Sequence, residues 1–229
     1  MRLVIGDKNL SSWSLRPWLL MKALAIPFKD RLEPFTRPDN YDDFRAFSPT
    51  GQVPVLLDNG LGGERRVWDS LGITMYIAER HPGVWPAYEE ARAFAQAVVA
   101  EMHGGFAHLR NDCTMNLGVR VTPRPMSPGL QRNVARLREL FEEGLDRFGG
   151  PWLAGPEFTA ADAFYAPVAY RVRTYGLDVG RGQAWVERVL AHPAMQYWER
   201  QGLAETWREE SHEAELAAAG AITADYRAT

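Results

Sequence analysis

Three serine side chains lie close together near the start of the chain, where they could stabilise an anion. Ser11, Ser12 and Ser14 follow a short apolar segment at residues 3–5, and a helical pattern begins at the same place. The first four N–H groups of a helix have no partner inside the helix and carry about half a positive charge. A thiolate or carboxylate placed there is stabilised by these groups, and serine adds a further donor. These residues predict an anion site at the start of the first helix.

Two further motifs in the first third of the chain could bind a ligand. Val53 and Pro54 stand at the entry to a predicted strand. In the first interpretation the proline simply begins the strand. In the second, a cis bond turns the Val53 N–H and C=O outward, where an extended peptide can pair with them. Asp69 and Ser70 begin another predicted helix, where such residues usually serve as caps. A second helix N-terminus in the same region could also bind the far end of a short ligand rich in carboxylates. Both interpretations of each motif remain open at this stage.

Composition argues against several classes of site. The 229 residues include 26 Lys and Arg and 29 Asp and Glu, for a net charge of -3, so no surface for nucleic acid or another polyanion is expected. Cys113 is the only cysteine and the five histidines lack HxxxH spacing, so we expect no disulfide, no CxxC pair and no metal site. No stretch approaches the ~18 apolar residues of a membrane span, and the opening residues lack a secretory apolar region. We therefore expect a cytoplasmic protein without a membrane partner.

The elements that position these motifs divide the chain into two parts. Residues 1–81 mix short strands with helices, whereas the part from residue 89 onward shows long amphipathic patterns and hardly any strand signal. A segment with two prolines and a glycine at 82–88 reads as a linker between them. The first part is predicted to contain strands at 3–5, 28–33, 53–57 and 66–68, a turn at 58–60, and helices at 18–24 and 69–80. The second is predicted to be an all-helical domain at 89–229, with helices at 89–108, 128–148, 159–175, 181–190 and 193–208 and a mobile tail from about 211.

Five segments, in order along nearly the whole chain, resemble the cytosolic glutathione transferase superfamily. The serine-rich motif at 11–16 is similar to that of zeta-like bacterial members. The other four are the segment that leads into the family's cis-proline (48–54), an acidic-Ser pair (68–70), the end of the N-terminal domain (81–82) and a helix capping box (155–162). The resemblance implies an α+β thioredoxin-like N-terminal domain followed by an all-α C-terminal domain. It also implies a homodimer, formed through the N-terminal domain and the first helices of the second.

The resemblance implies that glutathione is the co-substrate and that a serine hydroxyl ionises its thiol. Lowering a thiol pKa by ~2 units takes about 2.7 kcal/mol, which a hydroxyl and a helix N-terminus together can supply. The motif places Ser11 at the activating position. Ser12 and Ser14 remain alternatives for the activating residue. Proline is best accommodated in the first turn of a helix, so Pro17 would suit a helix capped by Ser14. With Ser11 as the activating residue, we therefore expect an irregular first turn. Trp13 replaces the cysteine that relatives often have there.

The same carry-over assigns further residues to the tripeptide and to its reaction partner. For glutathione binding they are Gln52, Val53 and Pro54 along its backbone, Asp69 and Ser70 at the γ-glutamyl end, and, more loosely, Arg37 and Arg45 at the glycine carboxylate. For the electrophile pocket they are Leu10, Trp13, Arg110, Asn111 and Met115. In zeta-like isomerases an arginine holds the substrate carboxylates. Arg173 lies one position away from where the resemblance would place that arginine.

Three functions are compatible with these residues. The leading one is a glutathione transferase that adds the tripeptide to a small electrophile. A second is a glutathione-dependent cis-trans isomerase of the maleylacetoacetate type. The third is a non-catalytic interaction protein of the same fold, against which the presence of Ser11, Pro54 and Ser70 together argues. A disulfide reductase is disfavoured because the active-site motif contains no cysteine.

Overall fold

The computed structural model describes residues 1–60 and 63–228, beginning with a mixed four-stranded sheet. Its strands are β1 (Arg2–Ile5), β2 (Lys29–Leu32), β3 (Val55–Gly60) and β4 (Gly63–Val67), in the order β2-β1-β3-β4. Strands β1 and β2 are parallel, and the β1–β3 and β3–β4 pairs are antiparallel. Helices of this part are α1 (Ser12–Ala23), α2 (Tyr41–Phe44) and α3 (Ser70–Ala78). This is the thioredoxin-like arrangement that the resemblance implied.

Strand β1 lies inside the sheet, and both of its faces are covered. Successive side chains of a strand point to opposite faces. Leu3 and Ile5 therefore enter the main hydrophobic core, whereas Val4 packs on the other face with Phe44 and Phe47. The apolar run at 3–5 is thus a strand buried on both sides, and its end delivers the chain to the start of α1.

The hairpin β3–β4 differs from the prediction. The predicted turn at 58–60 is wrong, because β3 continues through Gly60, and Asn59 pairs with Glu64 and Asp58 with Arg65 in the antiparallel register. The predicted strand at 66–68 instead spans Gly63–Val67. Residue types that usually form turns are therefore paired within the hairpin. The Asp58 side chain also accepts a hydrogen bond from the Tyr76 hydroxyl at 2.6 Å.

The second part consists mainly of helices arranged around α7. They are α4 (Glu89–Gly104), α5 (Ala107–Asp112), α6 (Pro128–Phe148), α7 (Ala160–Tyr175), α8 (Gln183–Ala191), α9 (Pro193–Leu203) and α10 (Glu210–Ala219). Every residue of α7 except Arg173 is buried, and α7 packs against α1, α4 and α8. The predicted capping box at its start is present, and the Asp162 carboxylate also accepts hydrogen bonds from the Leu153 N–H and the Trp185 indole at 2.9 and 2.8 Å.

Two predicted helices are shorter than their patterns suggested. The helix predicted at 89–108 is interrupted after Gly104, where Phe106 adopts a left-handed conformation with φ 58° and α5 begins at the next residue. At Gly105 a Cβ atom would lie 2.7 Å from the Glu101 carbonyl oxygen, so only glycine fits this break. The helix predicted at 193–208 ends at Leu203.

The second part is helical, as predicted, and the tail that was expected to be mobile adds a two-stranded sheet to it. Strand β5 (Val119–Pro123) pairs antiparallel with β6 (Gly220–Asp225), so the tail closes a two-stranded sheet. Arg227 forms an ion pair with Glu213, and Leu216 is buried on the inner side of α10. The pairing joins segments about a hundred residues apart, which a local pattern cannot reveal. Throughout the described ranges, no helix combines the length and apolar character that crossing a membrane requires.

Candidate active site

A cavity of about 580 Å³ opens where the start of α1 meets the second part of the chain. It gathers most of the residues predicted for the site. Those that line it are Leu10, Ser11, Ser12, Trp13, Arg37, Gln52, Val53, Pro54, Asp69, Arg110 and Met115. Those that do not line it are Ser14, Arg45, Ser70 and Asn111.

The three serines differ in their hydrogen bonds. Ser11 is the N-cap of α1 and accepts from the Ser14 N–H at 3.3 Å, while its hydroxyl donates to Ser14 Oγ at 2.8 Å. Ser14 is fully buried, and its Oγ also accepts from the Gly6 N–H at 3.1 Å. Ser12 lines the cavity, and no residue within 1–60 or 63–228 hydrogen-bonds to its hydroxyl.

The start of α1 is more regular than expected. The helix is α-helical from Ser12, with Pro17 inside it rather than in its first turn. Ser11 is the cap, and Ser14, the alternative cap that Pro17 had suggested, lies inside the helix. The burial of Ser14 explains this, because its hydroxyl holds the strand end at Gly6 against the helix.

The segment before β3 presents a free backbone edge. The Val53–Pro54 bond is cis, and Gln52 is held by a bond from its N–H to Ser48 Oγ at 3.1 Å. Among the described residues, none hydrogen-bonds to the N–H or C=O of Val53. An extended peptide lying in the cavity could therefore pair with Val53 in the manner of an added strand.

Asp69 caps α3 and also faces the cavity. Its Oδ1 accepts from the N–H groups of Leu71 and Gly72 at 2.9 and 3.4 Å, and its Oδ2 lies 3.3 Å from Nε2 of His103. The capping interpretation is thus confirmed, and it does not exclude a ligand because the carboxylate remains half exposed. Ser70 is buried behind it, with a hydroxyl that has no partner in the described part of the chain.

Three arginines concentrate positive charge around the cavity. Arg110 and Arg171 line it, and Arg16 is buried next to them with its guanidinium 4.1 Å from the centre of the Trp13 ring. Arg110 lies on the same ring at 4.7 Å. Burial lowers the pKa of all three, to about 10 for Arg171, and the nearby guanidinium of Arg110 lowers those of Arg16 and Arg171 further. No carboxylate within the described ranges forms an ion pair with any of them.

Several cavity residues were not predicted. Arg171, rather than Arg173, reaches the cavity, because residues two apart on a helix face different sides and Arg173 pairs with Glu199 at 2.8 Å. His212 and Glu215 reach it from α10, in the tail expected to be mobile. No local sequence signal marks these contributions. Cys113 is buried, and burial raises the pKa of its thiol to about 12, which agrees with its predicted role as a packed residue.

Two known family models match this chain. Residues 10–80 match the family model described as glutathione S-transferase, N-terminal domain, and residues 127–210 match the one described as glutathione S-transferase, C-terminal domain. A zeta class glutathione S-transferase of Euphorbia esula is 29% identical over 128 residues, 55% of each chain, so the match spans about half the length of that relative. GstA of Escherichia coli O157:H7 is 27% identical over 70% of this chain and 78% of its own.

Solved structures show the same fold. A Burkholderia glutathione transferase homologue with bound glutathione superposes with a TM-score of 0.65 at 21% identity, covering 88% of this chain and 97% of the other. A maleylacetoacetate isomerase of Methylobacterium extorquens with bound malonate and glutathione gives 0.63 at 20% identity, covering 89% and 97%. The two family models together match well over half of the sequence. The chain therefore belongs to the glutathione S-transferase family.

Proposed function

We propose that this protein is a glutathione transferase that ionises the thiol with serine hydroxyls at the start of α1 and adds the sulfur to a small electrophile. The observation that carries the proposal is the convergence of Ser11, Ser12, the free Val53 backbone and Asp69 on one cavity at two helix N-termini. A tripeptide with a central thiol and charged ends suits this arrangement, since helix N-termini stabilise a thiolate and a carboxylate.

The orientation of the tripeptide follows from these groups. Val53 would pair with the cysteinyl backbone, which brings the sulfur toward the serines. The γ-glutamyl end would lie at the start of α3, where the Asp69 carboxylate can accept from its amino group and the orphan hydroxyl of Ser70 would gain a partner. Arg37 is the cavity residue that suits the glycine carboxylate, because Arg45 lies over the Tyr41 ring and outside the cavity.

We assign the main donor to the sulfur to Ser11, with Ser14 as its support. Each hydroxyl oxygen both donates and accepts, so the bond of 2.8 Å between Ser11 and Ser14 can reverse direction. Ser14, already accepting from the Gly6 N–H, would then donate to Ser11 and leave the Ser11 proton free for the sulfur. Hydrogen bonds in such a chain polarise one another. Ser12 offers a second donor that needs no rearrangement.

A specific observation favours an acidic electrophile, and with it the second function. The guanidinium groups of Arg171 and Arg110 line the cavity without an ion pair to any described carboxylate, and a buried charge without a counter-ion is costly. A substrate carboxylate would offset that cost and be held by Arg171. This supports glutathione-dependent cis-trans isomerisation of an unsaturated dicarboxylic acid, the type of reaction named for the Methylobacterium neighbour.

The ionisation of bound glutathione tests the proposal. We expect the ultraviolet absorbance of its thiolate to titrate well below the pKa of the free thiol of ~8.5. Ser11→Ala should raise the bound pKa by about one to two units, since a hydrogen bond to a charged group contributes ~1.5 to 3 kcal/mol. Ser14→Ala should raise it by less, because Ser14 acts through Ser11.

The control is Ser127→Ala, which removes the cap of α6 outside the cavity lining and should leave the thiol pKa unchanged. A larger effect in Ser12→Ala than in Ser11→Ala would transfer the assignment to Ser12. Failure of the wild-type protein to bind glutathione at all would favour the non-catalytic interaction protein instead.

A further inference from the structure

The tail brings a histidine paired with a carboxylate to the wall of the cavity. His212 lines the cavity, and its Nδ1 lies 2.6 Å from Oε2 of Glu209. Glu209 also accepts from the N–H groups of Ser211 and His212, both at 3.0 Å. Burial raises the pKa of Glu209, but the hydrogen bonds from Ser211 and His212 outweigh it and bring the pKa to about 2. The carboxylate is therefore ionised, and the Nδ1–H of His212 donates to it.

Phe35, which follows β2, fixes the orientation of the His212 imidazole. Its ring stacks on Phe35 with centroids 5.3 Å apart and planes at 12°. Phe35 is itself anchored by a bond of 3.1 Å from its N–H to Asp7, which also accepts from the Trp207 indole at 2.6 Å. With Nδ1 committed to Glu209, Nε2 is the remaining nitrogen, and no residue in the described ranges hydrogen-bonds to it.

Charged groups from three segments of the chain surround the ring. Glu209 and Glu215 lie on the same tail segment, Asp7 faces the ring from the loop after β1, and Arg37 lines the cavity from the segment after β2. Of these groups, Glu209 is in direct contact with the ring, through Nδ1. A histidine oriented by a carboxylate, with its second nitrogen free beside a substrate cavity, is an arrangement suited to general acid–base chemistry.

We propose that His212, oriented by Glu209, is the proton donor when the thiolate adds to an activated carbon–carbon double bond. The inference rests on the proposed glutathione transferase function and adds to it a residue from the tail. It concerns acceptors whose double bond is conjugated to a carbonyl or carboxyl group. Acceptors that lose a leaving group need no such proton.

The step balances as follows. The sulfur of the thiolate forms a bond to the β-carbon of the acceptor, and the π electron pair of the double bond moves onto the α-carbon and its carbonyl group as an enolate. Protonated His212 gives the proton on Nε2 to the α-carbon and becomes neutral, while Glu209 stays ionised. The imidazole then regains a proton from water, and the proton of the glutathione thiol has already passed to solvent.

Two acceptors of different chemistry separate this role from a structural one. Benzylideneacetone needs a proton on carbon after the sulfur adds, whereas chlorodinitrobenzene releases chloride and needs none. We expect His212→Gln to lower kcat/KM for benzylideneacetone by about 100-fold, the low end of the range for general acid catalysis, and that for chlorodinitrobenzene by less than about twofold. The KM for glutathione should not change.

Glu209→Gln provides a second variant. Replacing the Glu209 carboxylate by an amide removes the charge that holds Nδ1–H of His212, so kcat/KM for benzylideneacetone should fall by about tenfold, with no such fall for chlorodinitrobenzene. Glu210→Gln, which alters the exposed neighbouring carboxylate, is the matched control and should behave as wild type. Thermal unfolding of each variant shows whether the tail remains folded, and the kinetics of Glu209→Gln with the two acceptors decide the matter if His212→Gln does not fold.

The outcomes separate the inference from the function on which it rests. Equal losses with both acceptors, or no loss with either, would overturn the role of His212 while leaving the transferase function in place. A raised KM for glutathione with both acceptors would show that His212 binds the tripeptide instead, which also overturns it. If the wild-type protein used neither acceptor, the proposed function itself would fail.

Discussion

Arg171 has a charge that no carboxylate in the described part of the chain neutralises. Its Nε donates to the Cys113 carbonyl at 2.8 Å, and Nη1 donates to the Pro167 carbonyl at 3.4 Å, so the side chain is held by the backbone alone. The guanidinium is thus fixed and buried before any ligand arrives. Such a group can hold a planar carboxylate through two parallel hydrogen bonds.

Replacing this arginine should separate acidic from neutral acceptors. We expect Arg171→Met to raise the KM for an acceptor with a carboxylate by at least about tenfold, because a charge-assisted hydrogen bond contributes ~1.5 to 3 kcal/mol. The KM for a neutral acceptor should stay within about twofold. Steady-state kinetics with the two acceptors measures the difference.

Arg173→Met is the matched control for that prediction. Arg173 is two residues away on α7 but pairs with Glu199 outside the cavity. It should leave both KM values unchanged. Equal effects of Arg171→Met on acidic and neutral acceptors would refute the carboxylate role.

At the level of elements, the segment after α9 joins the loop before α1 to the second part of the chain. Glu205 accepts from the N–H groups of Lys8 and Asn9 at 2.7 and 3.1 Å, and the Trp198 indole donates to the Lys8 carbonyl at 2.7 Å. Asn9 in turn accepts from the Gly118 N–H at 3.1 Å. The loop that carries the serines is therefore held by residues about two hundred positions later in the chain.

This connection should depend on pH through Glu205. Burial raises the pKa of Glu205 from 4.5 to about 7 in the folded protein, although the Asn9 and Lys8 N–H groups oppose the shift. A folded-state pKa above the unfolded value means that the stabilisation is complete below the unfolded pKa and is lost as the pH rises through the folded pKa. The free energy of unfolding contributed by Glu205 should therefore decrease by about 2 to 3 kcal/mol from about pH 5 to about pH 8.

Urea unfolding of wild type and Glu205→Gln across this pH range measures that contribution, because glutamine does not titrate. The advantage of the wild type over the variant should shrink as the pH rises. Glu210→Gln, whose carboxylate is exposed, should show a constant difference from wild type. An advantage that grew with pH would contradict the raised pKa of Glu205.

At the level of the whole molecule, large apolar side chains remain exposed on the first part of the chain and at the start of the second. Trp68 follows β4, Met75 lies on α3 and Tyr88 precedes α4, with exposed fractions of 44%, 59% and 65%. Exposed apolar side chains of this size are available for contact with another protein. They support the homodimer that the family resemblance implied, formed through the first part and the start of the second.

Light scattering tests this expectation. The wild-type protein should have twice the mass of one chain, and Met75→Glu should shift it toward the monomer, because a charge buried in an apolar interface is costly. Ile222→Glu, which alters an exposed apolar side chain on β6, should leave the mass unchanged. A wild-type monomer at working concentration would contradict the prediction.

Local patterns determined much of this protein in advance. Alternation along a strand, helix periodicity and capping involve residues within a few positions of one another, so β1, α6 and the capping box of α7 could be read directly. Pro54 before β3 and the serines at the start of α1 could be placed in one site because the thioredoxin-like order of elements joins them.

Tertiary contacts decided the rest. Which serine is buried depends on Gly6, and which arginine reaches the cavity depends on how α7 is rotated in the core. His212 arrives because β6 pairs with β5 and Trp207 bonds to Asp7. These contacts join residues far apart in the chain. Their free energy comes from packing and hydrogen bonding between distant segments, which local residue spacing cannot predict. The sequence alone therefore specified the glutathione transferase fold and the serines at the start of its first helix, while folding selected the other groups that line the cavity.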